Sequence, residues 1–338
     1  MTITPPAADV DASDTTPFAD DKLHASETHI DNDVQVDSII RNQEFWFEDG
    51  SVVIIVGGQC FRVHQSILSR HSEVFNAMFS IPQPRYQEML DGCPLVRLSD
   101  ELSDFVDLLR VLYQPFYFDK LSEDADLNTL ITFISGILRM STKYMMRIIR
   151  QKCISVLQSK FPSTIEGCDT LLASKYLYPP EAIVRAIPLA RESIVPEILP
   201  WAYYISTHIP TDELLNDASL SWRDKALCLA GKERLWEAQK TLTHAFVLTF
   251  ERAPGCVSMC NQVFQFATER QSWKGLEMMR KSPHPLEMYT DWGSMKTCAR
   301  CRESMERQHK AGREKLWELL PGMFELGSWK ELQDHQGQ

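Results

Sequence analysis

Two close cysteine pairs, Cys256-x-x-x-Cys260 and Cys298-x-x-Cys301, carry the clearest chemical signal in this 338-residue chain. Zinc favours four thiolates in a tetrahedron, and a knuckle of two cysteines with two to four residues between them presents two sulfurs to one ion. Two such knuckles make one four-cysteine site. The first pair follows the Pro254-Gly255 turn, and the second opens the polar helical stretch from Arg300 to Lys315. The 37-residue spacer exceeds the usual ribbon length and holds a helix-like run, Val263 to Met279, so two other readings stay open. The four could be inert, partly buried thiols. Cys298-Ala299-Arg300-Cys301 could also be a redox motif, although the strand expected before a thioredoxin-like motif is missing. His284 is a spare candidate ligand.

Other chemistry is hard to find. Ala226 to Glu233 includes Gly231-Lys232 but lacks the glycine and the serine or threonine that a phosphate loop needs at its two ends. Neither a G-x-S-x-G elbow nor an H-E-x-x-H helix occurs. The expectation is a chain that binds and does not catalyse.

Composition narrows the class further. Hydrophobic residues make up 44% and charged ones 24%, which suits a folded protein. Net charge is −11, and nine acids against Lys22 alone fall in residues 1–37, so eight of the eleven excess negative charges belong to that tail. The first 40 residues therefore read as a disordered acidic segment, either an interaction arm or a solvating leader. The nearly balanced remainder has no broad basic face for nucleic acid. Apolar runs such as Val52 to Val56 fall far short of the ~20 residues of a membrane span. With no signal-like start and nine cysteines, an odd number, an intracellular protein with reduced thiols is expected, in cytoplasm or nucleus.

The elements that would position these groups fall into two parts. Phe45 to Phe47 and the Glu48-Asp49-Gly50 turn precede a strand at Val52–Val56. Gly57-Gly58 predicts a tight hairpin into Cys60–Val63, because two adjacent glycines supply positive φ at no steric cost. Leu68, His71, Phe75, Met78 and Phe79 share one helical face, and Pro82 and Pro84 open a loop. Leu95 to Leu98 reads as a third strand and Leu102 to Leu112 as a helix that Pro115 ends. From Leu127 onward only helices are predicted: 130–140, 144–157, 165–173, 182–190, 197–205 and a long one over 222–249. The C-terminal aromatics Trp317, Phe324 and Trp329 read either as a docking face against preceding helices or as an exposed partner groove. The charges of 300–315, Arg313 among them, suit a solvated helix.

The stretch Phe61-Arg62-Val63-His64-Gln65-Ser66-Ile67-Leu68, then Ser72-Glu73-Val74-Phe75-Asn76-Ala77-Met78-Phe79, followed by a short strand and a helix ending Leu112-Tyr113-Gln114-Pro115, resembles the BTB/POZ domain. The resemblance covers about residues 45 to 160. Segments Leu220 to Gly231 and Leu316 to Pro321 are also similar to divergent BTB proteins of mushroom-forming fungi. It implies an α+β N-terminal domain followed, over 163–338, by an all-α region. It also implies a protein–protein interaction module, often a homodimer: in some members a substrate adaptor for a cullin-type ubiquitin ligase, in others a transcriptional repressor.

Two positions depart from the repressor type, which places an aspartate at the start of the first strand and a basic residue after the histidine; here these are Ser51 and Gln65. Adaptor-type members carry a hydrophobic-x-glutamate element after the M-F helix, and Tyr86-Gln87-Glu88 matches it. His64, between an apolar strand and an apolar helix, is expected to be a neutral core histidine satisfied by backbone groups. The leading expectation is a self-associating scaffold or adaptor. A transcription-associated regulator with an acidic recruiting tail, and an enzyme with an unrecognised site in the helical region, are the alternatives.

Overall fold

Val52-Val53-Ile54-Ile55-Val56 is buried at every position, the pattern of a strand covered on both faces, and it lies at the centre of the sheet. The computed structural model describes residues 40–82, 87–122, 124–262 and 283–334. Among these, five strands form one mixed sheet: β1 (Ile40–Trp46), β2 (Val52–Val56), β3 (Gln59–Val63), β4 (Met89–Leu90) and β5 (Cys93–Arg97), in the order β1-β3-β2-β5-β4. The expected hairpin is present. Val56 pairs with Gln59, and Gly57 and Gly58 turn the chain at φ 54° and 79°. β5 lies parallel to β2, and β1, which the sequence did not announce, lies parallel to β3 on the far edge.

Helices α1 (Gln65–His71) and α2 (Glu73–Ser80) carry the apolar face predicted for 68–79, broken at Ser72. The Ser72 hydroxyl accepts from the Phe75 N–H at 3.0 Å and donates to the Tyr144 carbonyl at 2.6 Å, so one side chain caps α2 and ties it to a distant loop. Helix α3 (Leu102–Tyr113) ends just before Pro115, as expected. Phe105 meets Phe61 of β3 edge-on at 5.1 Å, closing helix against sheet.

The helical part continues the same hydrophobic core, which runs from Phe45 to Phe324. Helix α4 (Leu127–Lys143) packs against α3, α5 (Arg147–Gln158) and α7 (Pro180–Glu192), with α6 (Ile165–Ser174) between the last two in sequence. Helix α8 (Leu199–Ser206) is apolar almost all round and buried nearly throughout, as a helix at the centre of a bundle must be. The short α9 (Thr211–Asn216) leads to α10 (Trp222–Ala238), whose N-cap Ser221 accepts from the Asp224 N–H at 3.1 Å. Burial opposes ionisation of Asp224, but hydrogen bonds from Ser221 and Tyr203 and the charge of Arg191 outweigh it and hold the carboxyl low.

The long helix expected over 222–249 is interrupted. After α10 the chain makes one wider turn at Gln239–Thr243, breaks at His244, and resumes as α11 (Ala245–Leu248). The cause is tertiary: α12 (Ala299–Met323) crosses this turn with Gly312 against the Leu242 carbonyl, and the His309 ring holds the Thr243 carbonyl at 2.7 Å. The buried stripe of α12 is Cys301, Met305, His309, Gly312, Leu316, Trp317 and Leu320, with Arg313 beside it.

Arg313 corrects the reading of a wholly solvated charge set. It is 3% exposed, paired with Asp169 of α6, and donates from Nε to the Leu286 carbonyl at 2.8 Å. The C-terminal aromatics form a docking face. Trp317 lies 6.1 Å from Trp201, Phe324 stacks on Tyr203 at 5.2 Å, and Trp329 of α13 (Trp329–Asp334) stacks on Trp317 at 5.0 Å.

Candidate metal centre and interaction domain

The two cysteine pairs, 37 residues apart in sequence, meet. Gly255, at φ 76°, turns the chain so that the Cys256 N–H reaches the Ala253 carbonyl at 3.0 Å, and Cys260 opens the helical turn that follows. Cys298 is the N-cap residue of α12 and Cys301 lies in its first turn. One knuckle therefore runs from a tight turn into a helical turn, and the other is a helix start. Their four sulfurs all lie within 4.8 Å of one another, with Cys256 Sγ 3.6 Å from both Cys260 and Cys298. Four thiolates about 2.3 Å from one tetrahedral ion would stand roughly 3.8 Å apart, which these separations bracket.

The surroundings suit a sulfur cage. The Ala253 N–H points to Cys301 Sγ and the Cys298 N–H to Cys260 Sγ, each at 3.4 Å, and donors of this kind favour thiolate. Arg300 donates to the Gly255 carbonyl at 2.8 Å, and Arg252 donates to the Cys256 carbonyl. Burial opposes ionisation of Cys256, yet hydrogen bonds from Cys301 and Arg252 bring it down to about 6. Burial pushes Cys301 up to about 12. Four adjacent thiols cannot all ionise without a cation among them.

Ala253, Cys260 and Cys301 form a small apolar cluster of their own, separate from the main core, with Phe250 and the other two cysteines at its edge. No disulfide is formed among the nine cysteines. His284 is not a fifth member: it stacks on His208 at 3.8 Å and faces Glu287. The run Val263 to Met279 lies outside the described residues.

At the other end of the chain, His64 has side-chain partners where backbone ones were expected. Its Nδ1 lies 3.0 Å from the Tyr113 hydroxyl and its Nε2 3.2 Å from Asp49, and the ring is partly exposed beside Phe47. The Tyr113 hydroxyl also accepts the His64 N–H at 3.0 Å, so the histidine locks the end of α3 to the end of β3. Ser51 and Gln65 adjoin, the Gln65 N–H meeting the Ser51 hydroxyl at 3.0 Å and its amide the Ser51 carbonyl at 2.8 Å. A neutral contact thus stands where the repressor type of the resemblance places opposite charges. Glu88 pairs with Arg97 across the β4–β5 edge at 2.6 Å, and Tyr86 lies outside the described residues.

The sequence profile of the BTB/POZ domain matches residues 50–161. These residues are a BTB/POZ domain. It spans the chain from the start of β2 to the end of α5, with β1 added before it and the cysteine site well beyond it. The α+β architecture expected for it is present, a small mixed sheet at the N-terminal end followed by helices. A BTB/POZ domain is a protein-interaction module. No curated protein matches the chain. Among the described residues no helix is long and apolar enough to cross a membrane.

Sequence reasoning found the cysteines by spacing and His64 by motif. It missed Asp49 and Tyr113 as partners of His64, and the buried Arg313, because none of these carries a local pattern. Only the close of α3 against β3, and of α12 against α6, brings them into contact.

Proposed function

We propose that this protein is a binding scaffold or adaptor that self-associates through its BTB/POZ domain and presents the helical region to a client protein. The observation that carries this reading is an interaction module at 50–161 whose core continues directly into a larger helical body. A continuous core of that kind would transmit the placement of one partner to the other. Light scattering on the full chain should report a dimer, and a clean monomer at micromolar concentration would remove self-association. Capture with tagged protein separates the finer readings: a cullin scaffold among the partners supports a ubiquitin-ligase adaptor, whereas chromatin components support a transcription-associated regulator.

The same reading assigns Cys256, Cys260, Cys298 and Cys301 to one structural zinc ion. Support comes from four convergent sulfurs and N–H donors aimed at two of them. Such a site contributes folding free energy because it seldom preforms in an unfolded chain. One zinc per chain is expected in purified protein, falling toward zero in Cys298→Ser with a lower melting temperature. Absence of stoichiometric metal, with unchanged melting of that variant, would return the four to ordinary thiols.

A further inference from the structure

Residues 283–289 cross the helical body as a strap held by an unusual set of partners. At one end, His208 on the residues following α8 donates from Nε2 to the Pro283 carbonyl at 2.9 Å, and its ring lies against His284 at a centroid distance of 3.8 Å and 22°. In the middle, Leu286 is fully buried, its N–H reaches the Tyr204 hydroxyl at 3.4 Å, and its carbonyl takes the Arg313 Nε–H. At the other end the Tyr289 N–H donates to His309 Nε2 at 3.1 Å. A carbonyl only accepts and a backbone N–H only donates, so His309 carries its proton on Nδ1, toward Thr243, and a lone pair on Nε2 toward Tyr289. That is neutral imidazole. Two half-buried rings stacked face to face likewise cannot both be charged.

We propose that this strap is a proton-released latch: neutral histidines at both ends hold it down, and their protonation frees it from α8 and α12. Lys232 adds to burial and to His284 in pushing His208 down to about 3. Burial lowers His284 against the opposing Glu287. Burial and Arg313, itself paired with Asp169, lower His309 against its hydrogen bond to the Thr243 carbonyl. Next to His309, burial, with repulsion from that ring once it is protonated, brings His244 down to about 4. Each group is depressed on docking, so the closed strap is fully favoured above the ordinary imidazole range and loses ground as pH falls below it. At pH 5 the release of His208 alone, held at about 3 when docked, shifts the balance toward the open form by about thirtyfold, and the other lowered rings add in the same direction.

Hydrogen exchange of the full chain tests this, because the Leu286 and Tyr289 amides report the latch directly. Corrected for intrinsic chemistry, their protection should fall at least about twentyfold between pH 7 and pH 5 while the β2–β3 ladder amides hold. His208→Gln keeps a donor for the Pro283 carbonyl without titrating, and His284→Phe keeps the stack without a charge; each should blunt the fall. Should His208→Gln fail to fold, His284→Phe at its partly exposed site decides alone. Neither substitution touches a cysteine, so acid loss of a metal cannot imitate their effect. Strap amides that follow the ladder at every pH, or a fall that the folded variants leave unchanged, would overturn the latch.

Discussion

Phe75→Asp is expected to leave the BTB/POZ domain unfolded. Phe75 is fully buried, stacks on Tyr144 at 4.4 Å and 10°, and packs beside Phe79 of its own helix. Losing a buried phenylalanine costs about 3–5 kcal/mol, and a carboxylate set among rings without a partner costs several more. Together these approach or exceed the roughly 5–15 kcal/mol that holds a typical fold. Because one core joins this domain to the helical body through α4 and α7, the loss should reach the whole chain. Leu68→Asp should behave alike, whereas Ile148→Asp, at an 81% exposed position, should melt as wild type. Circular dichroism with limited proteolysis reads the difference. Wild-type melting of Phe75→Asp would mean that α2 does not pack as seen.

The second large effect is expected from one methyl group. A Cβ on Gly312 would stand 2.2 Å from the Leu242 carbonyl oxygen and 2.7 Å from its carbon, both backbone atoms that no rotamer change can move aside. In Gly312→Ala, α12 must therefore shift by about an ångström from the Gln239–Thr243 turn, straining the His309–Thr243 bond. Overpacking of this kind costs about 1–3 kcal/mol, and rigid backbone on both sides puts this case at or above the upper end. Thermal melting of the variant measures it; a change below about 0.5 kcal/mol would show that the two segments have room to spare.

Gly231 is the comparable position on α10, where a Cβ would fall 2.0 Å from the buried Phe324 ring. A glycine inside a helix is intrinsically unfavourable, at 231 as at 312. Both are explained by what crosses them. The left-handed Gly57 and Gly58 are a different case, since their demand is local and their pairing between two apolar runs announces the hairpin directly.

The same division runs through the rest of the molecule. Strands β2 and β3 were legible because a five-residue β-branched run must be covered on both faces, and α3 because its apolar spacing ends at a proline. Strand β1 was not: Ile40–Trp46 is an edge strand, mostly exposed, and its pairing with β3 is parallel, so neither alternation nor a hairpin turn marks it. At the cysteines, spacing within each pair was readable, while their convergence required α12 to return to the 250s loop.

What the amino-acid order alone determined was the short-range content of this protein: the glycine hairpin, the apolar faces of the helices, the two knuckles and the BTB/POZ motif. Each depends on steric and hydrophobic preferences among residues a few positions apart. Tertiary structure decided the break after α10, the burial of Arg313 against Asp169, the partners of His64 and the histidine-held strap. Those contacts join residues tens to more than a hundred positions apart. Their cost and their benefit arise only when packing removes water from both sides at once.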